Sequence, residues 1–284
     1  MAFIKITGLT KSFGPRAVLH DVNLSVEQGE FVAIVGSMGC GKSTLLSLAA
    51  GLTRPDAGTV MIDGVPLTGI RPDVSIVFQN YSLLPWFSAL ENVRLGVQAA
   101  RPDWSKERQR AHATAYLEKV GLGNALHRRP GQLSGGMRQR VAIARAFATE
   151  PEILFLDEPF GALDALTRGS LQQELARMCS SREKPVTVVM ISNNVEEALL
   201  LADRIIPLTR GPKATLGAGV AVLLPRPREM SQLMHDEAAE RVRADVVQAL
   251  TGANGPAGLG RGSRGRTDVA AGKTAMLAAA MEGE

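Results

Sequence analysis

The chain has 284 residues, 45% of them hydrophobic, and its 32 basic residues exceed its 28 acidic ones for a net charge of only +4. This length allows a large core in one or two domains, and the mild charge excess gives no case for a nucleic-acid partner. Two cysteines without C-x-x-C spacing argue against a disulfide scaffold or a zinc site. We expect no signal peptide, because the first residues lack its long apolar stretch. We expect no membrane span, because no apolar run approaches about 18 residues.

The first predicted elements are half-exposed strands. Residues 3–6 and 23–26 alternate apolar and polar side chains, as antiparallel edge strands do. Between them, Phe13 lies on a predicted turn. A phenylalanine at this place either packs in the core or stacks on the adenine of a nucleotide, and the local sequence leaves both interpretations open.

The central motif follows an apolar run at 31–35 and precedes a helix-like stretch; it reads Gly36-Ser37-Met38-Gly39-Cys40-Gly41-Lys42-Ser43-Thr44. Strand, glycine-rich turn and helix start together fit the phosphate-binding pattern G-x-x-x-x-G-K-[ST]. Glycines let backbone N–H groups curl around phosphate oxygens, and the helix N-terminus adds its positive end. We therefore expect Lys42 to reach the β- and γ-phosphates of ATP and Ser43 to offer a hydroxyl to Mg²⁺. Cys40 is interpreted as a small residue that fills space in this loop.

The next stretch predicts two strands and a helical segment. Strands at 59–64 and 75–78 follow a turn, and the second strand ends at Gln79. From 90 to 121 the apolar residues recur at helical spacing. We therefore predict a helical insertion at about 82–135 in an otherwise α/β chain.

A polar motif then opens another helix. Ser134, Gly135 and Gly136 precede the apolar residues of a predicted helix. A helix start of this kind presents free N–H groups and the positive end of the helix dipole, and so can bind an anion. By itself the motif favours a simpler interpretation, a capped helix with a flexible entry.

The stretch at 151–158 contains a continuous apolar run at 153–156 and ends in two carboxylates, Asp157 and Glu158. A strand that is apolar on both faces belongs in the middle of a parallel sheet. Asp157 is suited to hold Mg²⁺ through its water shell, and Glu158 to accept a proton from an attacking water. Because neighbouring strand residues face opposite sides, we expect these different roles where the backbone turns at Pro159.

The remaining elements alternate between helix and strand. They are a tight turn at 161–164, a buried strand at 186–191, a helix from 192, a strand at 203–209, a break at 225–228 and a helix at 234–250. Residues 251–284 are rich in glycine, arginine and alanine, and this composition predicts a disordered tail.

In order and spacing, these motifs resemble the ATPase subunit of an ABC transporter over about residues 3–250. The resemblance implies an α/β fold: a P-loop NTPase core with a mainly parallel sheet, an antiparallel β edge subdomain and the helical insertion. The ABC ATPase domain would then span residues 1–250. It also implies ATP as substrate, Mg²⁺ as cofactor and ATP hydrolysis as the reaction. The motifs that carry it are the phosphate loop, Gln79, the signature at 133–139, the acidic pair and the turn at 162–164.

The same resemblance assigns roles to single residues. Phe13 would stack on adenine, Gln79 would contact Mg²⁺ and couple to the transporter, and Glu158 would be the general base. Such ATPases work as head-to-tail dimers. Residues 134–136 of one subunit would therefore close over the γ-phosphate that Lys42 of the other subunit holds.

One position departs from the family pattern. Where a histidine usually follows the strand at 186–191, this chain has Asn193, and its four histidines lie elsewhere in the sequence. Asparagine can donate a hydrogen bond to the γ-phosphate but cannot become cationic. The departure predicts slower hydrolysis with ATP binding largely kept. A dimerising module that binds ATP and hardly hydrolyses it is an alternative, which the intact Glu158 disfavours.

Three further stretches, at 81–86, 196–204 and 224–228, are similar to the nitrate, sulfonate and taurine importer branch of the family. Residues 192–194 and 206–212 favour nitrate, nitrite or cyanate as cargo, with a sulfonate or taurine as the alternative. The branch implies an identical or homologous second ATPase, an integral membrane permease and, through the permease, a periplasmic or lipid-anchored solute-binding protein. The chain would then lie at the cytoplasmic face of the cell membrane. A role with nucleic acid is not expected, since only the Arg-Gly tail supports it.

Overall fold

The computed structural model describes residues 2–161, 163–180 and 185–252. The predicted disordered tail lies outside the described residues from 253 onward, as does Ala162 in the predicted turn. The strands are β1 (Ile4–Phe13), β2 (Arg16–Val26), β3 (Phe31–Val35), β4 (Ala57–Ile62), β5 (Val65–Pro66), β6 (Val74–Val77), β7 (Ile153–Asp157), β8 (Thr187–Ser192), β9 (Arg204–Pro207) and β10 (Val220–Ala221). The helices are α1 (Lys42–Ala49), α2 (Ala89–Ala100), α3 (Lys106–Lys119), α4 (Gly135–Phe147), α5 (Ala165–Ser180), α6 (Val195–Leu201), α7 (Met230–Leu233) and α8 (Glu237–Gly252).

The strands form two sheets of different character. The first is antiparallel in the order β2-β1-β4-β5, and its alternating strands bury one face, as the sequence predicts. The second has the order β10-β9-β3-β8-β7-β6, and its strands are parallel from β9 to β6. Strands β3 and β8 are buried along their whole length, because helices cover both faces of a parallel sheet. The predicted fold class is confirmed.

The register of the parallel sheet places the ends of four strands at one edge. Val35, the last residue of β3, pairs with Ser192 at the end of β8. Asp157 at the end of β7 pairs with Ile191, and Leu156 pairs with Val77 at the end of β6. The loops after these strands therefore meet at the carboxyl edge, where open α/β sheets bind ligands.

Helices α2 and α3 lie within the stretch predicted as a helical insertion. The helical spacing from 90 to 121 is interrupted at 101–105, and each helix begins at its own serine cap. Ser88 and Glu91 form a capping box on α2, and the Ser105 hydroxyl accepts a hydrogen bond from the N–H of Arg108 on α3. Their apolar faces, including Val93 and Leu117, join the main core.

The carboxyl-terminal part differs from the prediction in two details. In place of one helix at 234–250, α7 ends at Leu233 and α8 begins at Glu237. The break occurs because the Asp236 side chain accepts the N–H of Ala239 and so starts a new helix. The short antiparallel β10 was not predicted, since two residues carry no periodicity. Among the residues described, no helix combines the length and the apolar character that crossing a membrane requires.

Candidate nucleotide-binding site

The phosphate loop connects β3 to α1 through backbone that only glycine adopts easily. Gly41, just before α1, has φ of 111°, in the left-handed region. A Cβ there would also lie 2.9 Å from Cγ1 of Val18. Cys40 is 3% exposed and packs in the core beneath the loop, as expected of a space-filling residue, whereas Met38 is exposed. The loop thus packs on the core through Cys40 and is exposed to solvent at Met38.

The Lys42 side chain turns back over this loop. It is 4% exposed, and its ammonium donates to the carbonyl oxygens of Gly36 at 3.0 Å and Ser37 at 3.1 Å. The same Nζ lies 3.3 Å from Oε1 of Glu158. A buried ammonium held at a glycine-rich loop can neutralise phosphate oxygens, which is the role predicted for Lys42.

Ser43 and Asp157 bring two hard oxygen ligands together. The Ser43 hydroxyl donates to Oδ1 of Asp157 at 3.1 Å. Burial raises the pKa of Asp157, the hydrogen bond from Ser43 opposes that rise, and the nearby Glu158 charge adds to it. A divalent cation would favour the ionised carboxylate, and hydroxyl and carboxylate oxygens are ligands that Mg²⁺ prefers. These residues therefore fit the predicted metal ion.

Glu158 lies between two polar partners on the other side of the strand end. Its Oε2 accepts from Nε2 of Gln79 at 3.2 Å, while Oε1 faces Lys42. The backbone turn that separates it from Asp157 was predicted at Pro159, but the structure places it one residue earlier, because Glu158 itself has φ of 44°. This left-handed residue directs the two acids apart, so each has a different set of partners.

A cleft of about 460 Å³ opens over the loop and is bordered by Phe13, residues 16–18, residues 38–44, Gln79, Glu158 and residues 211–212. Phe13 is 54% exposed, which rules out the core interpretation, and Nζ of Lys11 lies 5.5 Å from the centre of its ring. Arg16 and the segment 211–212 were missed by sequence reasoning. No motif sets them apart, and chain folding alone brings the segment at 211–212 to the loop.

The signature motif lies outside this cleft. The Ser134 hydroxyl caps α4 by accepting the N–H of Met137 at 3.2 Å, and the side chain is exposed. A Cβ at Gly136 would lie 2.4 Å from Cγ2 of Thr167, so only glycine lets α4 approach the start of α5 this closely. The described residues that line the cleft include none from 134–136. Within one chain, these residues and Lys42 are therefore not brought together.

Asn193 follows β8 at the carboxyl edge and is exposed. Among the described residues, no hydrogen-bond partner is found for its side chain, whereas its neighbour Asn194 caps α6 by accepting the N–H of Glu196 at 2.8 Å. Asn193 is thus placed near the acids on β7 with its amide free to meet a ligand.

A buried carboxylate beneath Asn193 was not predicted. Glu197 is 5% exposed, and its Oε2 accepts from the Ser192 hydroxyl at 2.7 Å. Its Oε1 lies 3.9 Å from Nε of Arg168. The Nη2 of the same arginine donates to the carbonyl of Leu163 at 2.8 Å. Burial raises the pKa of Glu197. These contacts link the turn at Asn193 to the turn at 163–164, and no local sequence pattern reveals them.

Comparison with known proteins agrees with this geometry. A protein-family model described as ABC transporter matches residues 19–161. The chain is 50% identical over 237 residues to the nitrate import ATP-binding protein NrtD of Synechococcus elongatus, covering 84% of this chain and 86% of that one. It is 45% identical over 253 residues to the bicarbonate transport ATP-binding protein CmpC of the same organism, covering 87% of this chain and 38% of that longer protein.

A solved structure has the same fold. It is the dimeric, post-hydrolysis state of the ATP-binding cassette MJ0796 bound to ADP and Pi, with a TM-score of 0.69 and 33% identity over 78% of this chain and 100% of that one. The predicted family resemblance and the predicted ATPase activity are both confirmed. The chain belongs to the ABC transporter family and is an ABC-type ATPase.

Proposed function

We propose that this chain energises the import of a small inorganic anion through a membrane permease, with nitrate as the favoured cargo. The observation that carries the proposal is the 50% identity to the nitrate import protein NrtD over most of both chains. Bicarbonate is the second candidate, since the bicarbonate transport protein CmpC is 45% identical to this chain. It ranks below nitrate because the match covers only 38% of the length of CmpC.

ATP binding uses the cleft over the phosphate loop. The loop N–H groups and the Lys42 ammonium hold the phosphates, and the exposed ring of Phe13 stacks on adenine. Arg16, also on the cleft lining, adds positive charge near the phosphates. The buried position of Lys42 means that its charge acts at low local dielectric, which strengthens its attraction for phosphate.

Ser43, Asp157 and the Gln79 side-chain oxygen would hold Mg²⁺. When bound, the ion neutralises phosphate charge and withdraws electron density from the terminal phosphoryl group. The contact between Ser43 and Asp157 already brings two of these ligands into reach of one another. Asp157 must stay ionised for this role, although burial raises its pKa.

Glu158 acts as the general base of hydrolysis. One of its carboxylate oxygens takes a proton from the water that attacks the γ-phosphate, while the Gln79 amide and the Lys42 ammonium hold the carboxylate in position. Asn193 donates a hydrogen bond to the γ-phosphate. The neutral amide stabilises the developing negative charge less than a cationic donor would.

Two chains, identical or homologous, form the complete site. Residues 134–136 of one subunit close over the γ-phosphate in the other, and hydrolysis reopens the pair. We assign this activity to an ABC ATPase domain at 1–250 with its helical insertion at about 82–135.

The buried side chain of Asn92 shapes the loop before α2, since it bonds both the N–H and the carbonyl of Leu84. This loop presents Trp86, 62% exposed, for docking to the permease at the cytoplasmic face of the membrane.

Uptake assays in the organism that encodes the chain test this proposal. In a strain deleted for the gene, we expect lost nitrate uptake, restored by the wild-type chain and by the exposed control variant Glu118→Gln but not by Glu158→Gln. The purified Glu158→Gln chain should bind ATP while its turnover falls about 100-fold or more. Bicarbonate and taurine uptake are measured in the same strains. Loss of either of these with nitrate uptake unchanged would overturn the assigned cargo while leaving the ATPase assignment intact.

A further inference from the structure

A second cavity, of about 430 Å³, shares no lining residue with the nucleotide cleft. It lies between α5, the end of α6 and the segment at 226–229, and we call it the α5–α6 pocket. Its size is in the range of cavities that take small organic ligands. Its side chains have a composition that points to a particular kind of ligand.

The first observation is an unpaired polar group in the wall of this pocket. Gln172, on α5, is 3% exposed, and its amide nitrogen is buried without a hydrogen-bond partner among the described residues. A buried amide donor without an acceptor costs free energy, so such groups in native proteins call for an explanation. An acceptor oxygen on a ligand in the pocket would satisfy it.

The second observation is an excess of positive charge. Arg177, Arg226 and Arg228 line the pocket, against one carboxylate, that of Glu229. Arg226 is paired with Asp203 at 3.0 Å outside the lining. Arg177 is exposed, and its charge is attracted by the nearby Glu174 carboxylate: burial raises the pKa of Glu174, and the charge of Arg177 opposes that rise. That carboxylate is paired with Arg140, so the Arg177 guanidinium can still take an anion in the pocket.

Arg228 adds a cation that lacks a counter-ion. It is 9% exposed, and it donates to main-chain carbonyls, including those of Leu199 at 2.8 Å and Ala202 at 2.7 Å. No carboxylate of the described residues lies within ion-pair distance of it. Burial, and then repulsion by Arg226, lowers the pKa of Arg228 to about 10, so the side chain is still cationic at neutral pH. An anion in the pocket would offset this buried charge.

The remaining walls are apolar. Ala176, Leu200, Leu201 and Pro227 contribute carbon surface beside these donors. A bare inorganic ion would leave that surface in contact with water, whereas an organic anion covers it. We propose that the α5–α6 pocket binds a small organic carboxylate, with its head at the Gln172 amide and the Arg177 guanidinium and its carbon body against Leu200 and Leu201.

Binding there would join two helices, each of which follows a turn that carries a predicted family motif or site residue. Helix α5 follows the turn at 163–164, and α6 follows the turn at Asn193. A ligand bonded to α5 and packed on α6 therefore ties together the helices that carry these two turns. This inference does not depend on the cargo proposed above.

Calorimetric titration of the full chain tests the proposal, with benzoate as the probe. Benzyl alcohol has the same ring without the charge, and nitrate has the charge without the ring. We expect saturable benzoate binding at one site per chain and at least about tenfold weaker binding of both comparators. Absent benzoate binding, or equal binding of either comparator, would overturn the proposal.

Variants locate the site. Gln172→Leu and Arg177→Met should each weaken benzoate binding about tenfold, since each removes a donor to the carboxylate. Arg110→Met, an exposed arginine on α3, is the matched control and should bind as wild type. Gln172→Leu removes an unpaired amide and should keep the thermal midpoint, and Arg177 is exposed, so both variants fold. Wild-type benzoate affinity in both would show that the pocket is not the site.

Discussion

At the scale of single residues, Glu158 contacts two other residues of the candidate nucleotide site. Its two oxygens face Lys42 at 3.3 Å and Gln79 at 3.2 Å, so the predicted base contacts both the lysine predicted to bind phosphate and a predicted metal ligand. The separation of its role from that of Asp157 rests on the left-handed backbone at Glu158. The sequence shows the two acids but does not show which of them turns.

The exposed amide of Asn193 leads to a gain-of-activity prediction. Asn193→His should raise ATP turnover about tenfold, because a cationic donor stabilises the charge that develops on the γ-phosphate better than an amide does. Phosphate release at saturating ATP and Mg²⁺ measures it, and ATP affinity should stay the same. Asn124→His, at an exposed asparagine that is distant in sequence from Asn193, is the matched control. Unchanged turnover in Asn193→His would show that the position does not limit hydrolysis.

Glu197 leads to a prediction about pH and stability. Its pKa is raised by burial, so the stability that this carboxyl contributes is present below its unfolded pKa and is lost as pH rises through its folded pKa. Glu197→Gln keeps an acceptor for the Ser192 hydroxyl and does not ionise. The free energy of unfolding of Glu197→Gln minus that of wild type should therefore increase as the pH is raised from about 4.5 to about 7.5.

Urea unfolding of both proteins at the two pH values measures this difference. Glu118→Gln, at an exposed position on α3, should show no such trend. A wild-type chain that gains stability over Glu197→Gln at the higher pH would mean that the ion pair with Arg168 outweighs the effect of burial.

At the scale of elements, the central strands were predictable and the side-chain contacts around them were not. Continuous apolar runs at 31–35 and 153–156 predicted central strands, and their burial in β3 and β7 confirms this. The segment 225–228 was predicted as a break, yet Arg228 within it is buried against carbonyls at the end of α6, more than 20 residues away. Local patterns cannot reveal such partners, because they depend on how distant segments pack.

Arg228 stabilises the end of α6. Its guanidinium satisfies the carbonyls of Leu199 and Ala202, which the short helix leaves without partners. Arg228→Met should lower the free energy of unfolding by about 3 kcal/mol, because buried carbonyls lose their donors. Urea unfolding measures it. Arg241→Met, at an exposed pair with Glu237, should change stability by less than about 0.5 kcal/mol, and an equal effect of both variants would contradict the capping role.

At the scale of the whole molecule, the position of residues 134–136 outside the lining of the cleft predicts complementation between subunits. Lys42→Ala and Ser134→Arg chains should each be inactive alone. Mixed in equal amounts they should recover about a quarter of wild-type turnover, because half of the dimers carry one intact site of two. Lys42 and Glu158 touch within one chain, so mixing Lys42→Ala with Glu158→Gln should recover nothing. Absence of recovery in the first mixture would rule out the head-to-tail arrangement.

The carboxyl edge of the parallel sheet also has a consequence for synthesis on the ribosome. Ser43 contacts Asp157 across 114 positions, and Gln79 contacts Glu158 across 79. A growing chain that has emerged only as far as β6 therefore carries its phosphate loop but neither acid. A ligand stabilises only the form of a protein that binds it. ATP should therefore stabilise chains that have been translated beyond β8, and so contain both acids and Asn193, more than it stabilises shorter chains. Nucleotide binding should therefore stabilise the full-length chain more than truncated products that lack Asp157 and Glu158.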